Sequence, residues 1–315
     1  MRTAFIDTVT AEAALDDRIA LVVGDLGFGV VERFRDRYPD RFVNAGVAEQ
    51  DMIGLATGMA LAGAVVVAYS IANFAILRCL EQIRNDICYH GADVKIVAVG
   101  GGLAYGALGV THHGAEDIAA VRSIPEMRIL VPADATESGW AVQTALRTPG
   151  PFYVRLGRNG EPPVHRIPLD APLELGCAVV LRDGADATLI GIGSVLGAAM
   201  QAADALALQG IELRVISMHT VAPLDEDAVL RAARETGVVL TLEEHCITGG
   251  LGSAVAEVLA ESGISCHFRR LGLPRAFVDR VGSHDDLRGY YSLDRAGIES
   301  SVSDLLAKAR GSEAS

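Results

Sequence analysis

Short runs of apolar, largely β-branched residues alternate with helical periodicity along most of this chain. Read in order, they predict strands at Ile19–Val23, Val65–Tyr69, Val94–Val99, Arg128–Val131 and Phe152–Leu156. The intervening segments Ala48–Ala62, Asn73–Tyr89, Ala115–Ser123 and Ala135–Leu146 read as helices. The strand runs are unpatterned and bounded by Gly, Pro or Asp, as expected for strands buried on both faces of a parallel sheet. Between Gly157 and Pro172 the periodicity lapses, and Pro162, Pro163, Pro168 and Pro172 mark a linker. Alternation resumes with strands Ala187–Ile192, Leu213–Ser217 and Val238–Leu242, and with helices over Ser194–Leu208, from Asp225 and from Leu251. The pattern predicts an α/β chain of two doubly wound domains with mostly parallel sheets, residues 1–165 and 173–315, joined by a linker at 166–172.

Composition supports two cores: of 315 residues, 50% are hydrophobic and 21% charged. Disorder is expected only in the tail from Gly311 to Ser315. The net charge of −13, with no long basic run, argues against non-specific nucleic-acid binding, which needs Lys and Arg to neutralise phosphates. An anionic small substrate stays open, because a few local cations suffice for it. Five scattered cysteines without a CxxC pair read as free thiols in a reducing compartment. No segment approaches the roughly 18–20 uncharged apolar residues of a membrane span, and the N-terminus has no signal-peptide core. The expectation is a soluble, cytoplasmic protein.

The most conspicuous glycine motif is a weak one. GIGSVLG, Gly191 to Gly197, follows a strand and opens a helix, but no acid stands at the end of the next strand to hold a ribose. A tight strand-to-helix turn accounts for it, and GDLG at Gly24–Gly27 reads as a loop. Three other segments carry more chemistry. Glu49 and Asp51 stand in the first turn of an apolar helix, where the dipole favours anions whether or not they have another task. Tyr69 to Phe74 leads into a helix with Arg78, Glu81, Gln82 and Arg84. From Gly100 to Gly109 a ten-residue loop holds five glycines and is followed by Thr111-His112-His113-Gly114. Such a loop lets backbone approach a ligand closely. The paired histidines can serve as acid–base groups, metal ligands or loop polar residues, metal being the weakest reading because the spacing of HExxH is missing.

Taken together, GVAEQDMIGLATGMALAG, EQIRNDI, GVTHHGAEDIAAVRSIPEMRILVPADATE and FYVRLGR resemble the C-terminal half of transketolases, with 1-deoxyxylulose-5-phosphate synthase as a cousin. TLEEHCITGGLGSAVAEVLAE is similar to the family's third domain, so the likeness spans nearly the whole chain in order. It implies a pyrimidine-binding domain for thiamine diphosphate followed by a transketolase C-terminal domain. It also implies transfer of a two-carbon ketol unit from a ketose, expected to be phosphorylated, to an aldehyde. Position by position, the resemblance makes Glu49 the acid that contacts the cofactor's aminopyrimidine and promotes its imino tautomer. Phe74 becomes the wall on which that ring stacks, with Arg78 beside the cofactor. His112 matches the substrate-contacting, catalytic histidine, with His113 next to it, and Arg158 falls where the family places an arginine on a substrate phosphate.

Departures from the family pattern bear on the substrate. Leu108 stands where an acid is expected to read sugar hydroxyls, Gly100 where some members carry a second substrate histidine, Ile71 in place of an aromatic, and His113 in place of Gln. The family's pyrophosphate and metal site, a GDG followed by Asn, finds no match here. The resemblance therefore implies an N-terminal partner subunit that carries the pyrophosphate site and most of the ligands to Mg2+ or Ca2+. A heterotetramer of two copies each is expected, with the active site between chains. Other readings of the same domain pair are the beta subunit of a 2-oxoacid dehydrogenase, an acyloin synthase, or a non-catalytic regulatory paralogue.

Overall fold

In the computed structural model of the chain, which describes residues 1–158, 160–166 and 173–313, two twisted sheets are flanked by helices. The strands are β1 (Ile19–Val23), β2 (Phe42–Asn44), β3 (Val65–Ile71), β4 (Val94–Val99), β5 (Arg128–Leu130), β6 (Phe152–Leu156), β7 (Val179–Arg182), β8 (Ala187–Gly191), β9 (Leu213–Ser217), β10 (Thr220–Ala222), β11 (Val238–Cys246) and β12 (His267–Leu273). A seven-stranded sheet runs β10-β5-β6-β4-β3-β1-β2, and a five-stranded sheet runs β12-β11-β8-β9-β7. Among the described residues, every strand pairing is parallel except β10 on β5 and β7 on β9.

The central strands are buried along their full length, which is why their sequences lack alternation. Their side chains nevertheless divide between two faces. Val22, Val66, Ala68, Ile96 and Ala98 pack with Met52, Ile53 and Ala56 of the helix Glu49–Leu61. Leu21, Val67, Val97 and Val99 face Phe5 and Val9 of the helix Arg2–Glu12 and Ala141 and Val142 of the helix Ala135–Arg147. Each fully buried side chain of this kind contributes about 1.5–3 kcal/mol. In the second sheet the helices Leu196–Ala207 and Arg295–Glu313 cover one face, and Glu226–Thr236 and Leu251–Ser262 the other. The layer holding Met52 and Ile53 continues without a break to Ile190, Ile216 and Val239, so the two domains share core.

Several expectations need correction. The single helix predicted over Asn73–Tyr89 divides into Ala72–Ile76, Leu80–Gln82 and a π-helical turn Ile83–Cys88. The break falls at Cys79, whose backbone leaves the helical region and whose Sγ donates to the Phe74 carbonyl at 3.4 Å. The helix expected from Ala115 starts at Asp117. The tail is helical as far as Glu313, anchored by Leu305, Leu306 and Ala309. Pro168 and Pro172, with most of the predicted linker, lie outside the described residues, as do Ala314 and Ser315. Finally, the sheets do not divide cleanly at the linker. β10 comes from beyond it and closes the edge of the first sheet, with Val131 N–H donating to the His219 carbonyl at 2.8 Å.

Candidate active site

In a parallel doubly wound sheet, ligands are met at the carboxyl ends of the strands. Four strands of the first sheet end there on the segments singled out above. β2 leads to Glu49, β3 to Phe74, β4 to the glycine-rich loop with His112, and β6 to Arg158.

Glu49 opens its helix with only 1% of its surface exposed. One carboxylate oxygen pairs with the guanidinium of Arg78, and the other receives a long contact from Ser70 Oγ at 3.5 Å. The Arg78 guanidinium lies over the Phe74 ring, 5.0 Å from its centroid. Phe74 in turn meets His112 edge-on, with ring centroids 5.1 Å apart. Thr111 Oγ1 stands 3.0 Å from His112 Nδ1, which leaves Nε2 for another partner. Beyond His112 come the Tyr105 ring at 6.3 Å and the Arg158 guanidinium, 5.5 Å from Tyr105. The structure thus joins Glu49, Arg78, Phe74, His112 and Arg158 into one continuous line.

Two loop residues answer differently from the sequence expectation. His113 is 2% exposed and turned inward, its Nε2 3.3 Å from the Gly106 carbonyl, so in this conformation it braces the loop and presents nothing to solvent. Leu108 ends the short turn Gly106–Leu108 and is exposed. Gly100 has φ +84°, and a Cβ there would stand 2.2 Å from Tyr105 Cε2, so the tyrosine ring occupies the space of the missing side chain. A cleft of about 620 Å³ between the domains is lined by Arg158, Ser194, His284 and Arg288, but by none of Glu49, Phe74 and His112.

Behind the loop lies a buried polar cluster that sequence reasoning did not anticipate. Arg155, in the middle of β6, donates from Nε to Asp117 Oδ2 at 2.7 Å, and Tyr153 donates its hydroxyl to the same oxygen at 2.5 Å. Burial works to raise the Asp117 carboxyl, but the Arg155 charge and these hydrogen bonds leave it below the usual range. Across the domain junction, burial pushes Glu243 up to about 7, although it accepts backbone N–H bonds from Leu251 and Gly252 at 2.8 Å. Burial also drives His245 down to about 4. Against its own burial, Glu244 is held well below the carboxylate range by Arg288 and His284. A polar residue inside an otherwise apolar strand, Arg155 in FYVRL, was the available signal.

Among the described residues, no group of three or more His, Cys, Asp or Glu side chains could hold a metal ion. Among them, too, no helix is long and apolar enough to cross a membrane.

Comparison with known proteins agrees along the whole chain. Residues 1–162 match the family described as "Transketolase, pyrimidine binding domain", and residues 176–307 match "Transketolase, C-terminal domain". One of the two subunits of the apulose-4-phosphate transketolase of Phocaeicola vulgatus is 39% identical over 308 residues, covering 98% of this chain and 97% of that one. The 6-deoxy-6-sulfo-D-fructose transketolase subunit SqwH of a Clostridium species is 37% identical, covering 93% and 90%. Among solved structures, one described as "Split gene transketolase, inactive beta4 tetramer" superposes with a TM-score of 0.86 at 36% identity and covers 97% of both chains.

Proposed function

This chain belongs to the transketolase family as the C-terminal subunit of a split, thiamine-diphosphate-dependent enzyme, and we propose that its share of the active site is the line from Glu49 to Arg158. The observation that carries this reading is the buried Glu49 carboxylate set beside Phe74 and His112 on a single strand-end edge. A buried acid with one oxygen only loosely engaged, next to a half-buried aromatic ring, fits an aminopyrimidine. When bound, thiamine diphosphate supplies the carbanion chemistry of ketol transfer.

The chain's own residues then have separable tasks. Glu49 holds a proton at the edge of the pyrimidine. Phe74 gives that ring a flat apolar wall and keeps water from it. His112, its Nδ1 occupied by Thr111, directs Nε2 at a substrate oxygen. Arg158 offers a planar fork to a phosphate on a sugar phosphate. The pyrophosphate and divalent metal are assigned to an N-terminal partner subunit, in a complex of two copies of each chain. The similar structure described as an inactive beta4 tetramer supports dependence on a partner.

The test is reconstitution. The purified chain alone is expected to show no ketol transfer and only weak thiamine diphosphate binding. Mixed with a subunit carrying the pyrophosphate site, it should transfer a two-carbon unit from a ketose phosphate to an aldehyde, at a two-to-two stoichiometry measured by light scattering. Full turnover by the single chain would refute the assignment.

A further inference from the structure

We propose that Arg155 is a positioning residue that clamps the loop bearing His112 to the C-terminal domain. The idea rests on reading His112 as the substrate-contacting group. Arg155 is 5% exposed and lies within β6, where an apolar side chain would satisfy packing alone. Its Nη2 donates to two carbonyls at once, Gly114 at 2.6 Å and Glu244 at 3.0 Å. Gly114 lies two residues beyond His112 and exchanges both backbone hydrogen bonds with Gly102, at 2.8 and 3.0 Å. The two ends of the glycine-rich loop therefore close on each other directly over the guanidinium.

The fit leaves no slack. A Cβ at Gly101 would come within 2.6 Å of Arg155 Nε, and one at Gly102 within 2.6 Å of Glu244 Cβ. Glu244 is itself fixed from behind, by Arg288 at 2.7 Å and His284 at 2.6 Å. Further ties run alongside: Cys246 N–H donates to the Ala115 carbonyl at 2.8 Å, and Ala119 N–H donates to His245 Nε2 at 3.2 Å. Only a forked cation reaches Asp117, Gly114 and Glu244 together; an ammonium is a single point donor. The C-terminal domain thus takes part in catalysis at a distance, by fixing where His112 stands.

Arg155→Lys is the discriminating variant, because it keeps a positive charge beside Asp117 and loses the fork. In the reconstituted complex, kcat/KM should fall about 10²-fold, the cost of misplacing a reacting group by about 1 Å, while thiamine diphosphate affinity stays within about twofold. In the isolated chain, hydrogen exchange at residues 100–114 should speed up while the helix Glu49–Leu61 stays protected. The double variant Arg155→Met/Asp117→Asn, which removes both buried charges together, should show the same pattern if the lysine variant folds poorly. Wild-type loop exchange and kcat/KM in Arg155→Lys would overturn the proposal, as would uniform loss of protection across the domain. A wild-type complex without ketol transfer would instead sink the functional reading, and the exchange measurement would still decide the clamp.

Discussion

The Glu49 carboxylate is buried, while the Arg78 side chain that pairs with it is 46% exposed. The acid is therefore held ready on a rigid helix, and its cation is free to yield when a ligand arrives. Glu49→Gln keeps the shape and loses the exchangeable acid. Activity should fall roughly 10²-fold or more, as for loss of a general acid–base group. Proton exchange at the thiazolium carbon, followed by NMR in the complex, is the direct measurement; an unchanged rate excludes the role.

Arg158 stacks near Tyr105 at the mouth of the site. Arg158→Ala should raise KM for a phosphorylated substrate by roughly 10- to 100-fold, the worth of a hydrogen bond to a charged group. The dephosphorylated analogue should be little affected. Equal effects on both would indicate that the arginine serves the fold.

Leu108 presents an exposed apolar side chain on the loop that carries His112, and Val281 of the C-terminal domain stands close to the neighbouring Gly109. A wall of this kind rejects an added hydroxyl only weakly, by about 10² at most. The complex should therefore accept an aldehyde lacking a hydroxyl at the facing carbon, and Leu108→Asp should shift preference towards the hydroxylated one. Comparing kcat/KM for matched pairs decides it. Strong wild-type preference for the hydroxy form, unchanged in the variant, would remove Leu108 from specificity.

Glu243 gives the fold a pH signature. With its carboxyl raised from 4.5 to about 7 by burial, its contribution to stability is complete below pH 4.5 and is lost as pH rises through 7. His245, 3.7 Å away, works in the opposite direction. Lowered from 6.5 to about 4, it contributes above pH 6.5 and loses that contribution as pH falls through 4. Glu243→Gln should therefore gain stability relative to wild type between pH 4.5 and 7, by on the order of 3 kcal/mol at about 1.4 kcal/mol per unit, and level off above. Thermal unfolding across this range measures it. A constant offset would show that Glu243 does not ionise there.

Legibility in the sequence followed burial. Ile19–Val23, Val94–Val99, Phe152–Leu156 and Leu213–Ser217 were readable to the residue because each is almost wholly buried and largely apolar. β2 and β10 have only three residues, and β12 carries His267, Arg269 and Arg270, so none of these patterns stands out. The helix Arg2–Glu12 escaped notice because its apolar residues form no clear stripe. Within the site, Glu49 and Phe74 were ambiguous singly and became informative only through the family resemblance. The Arg155 cluster was invisible because its contacts join residues 38 and 89 positions apart. His113 was readable as a polar loop residue, but the direction its ring takes depends on the packing of Gly106.

The strand β10 has a consequence for how this polypeptide can be divided. Cutting at the linker would strip the outermost strand from the sheet that carries Glu49 and His112, and would leave the hydrogen-bonding groups of β5 bare. An uncovered edge of that kind recruits whatever strand is at hand. The N-terminal fragment would be a sticky, self-associating species, and its best-matched mate would be the severed piece itself. The two halves are thus interlocked like clasped hands, and should be moved, fused or trimmed as a single piece.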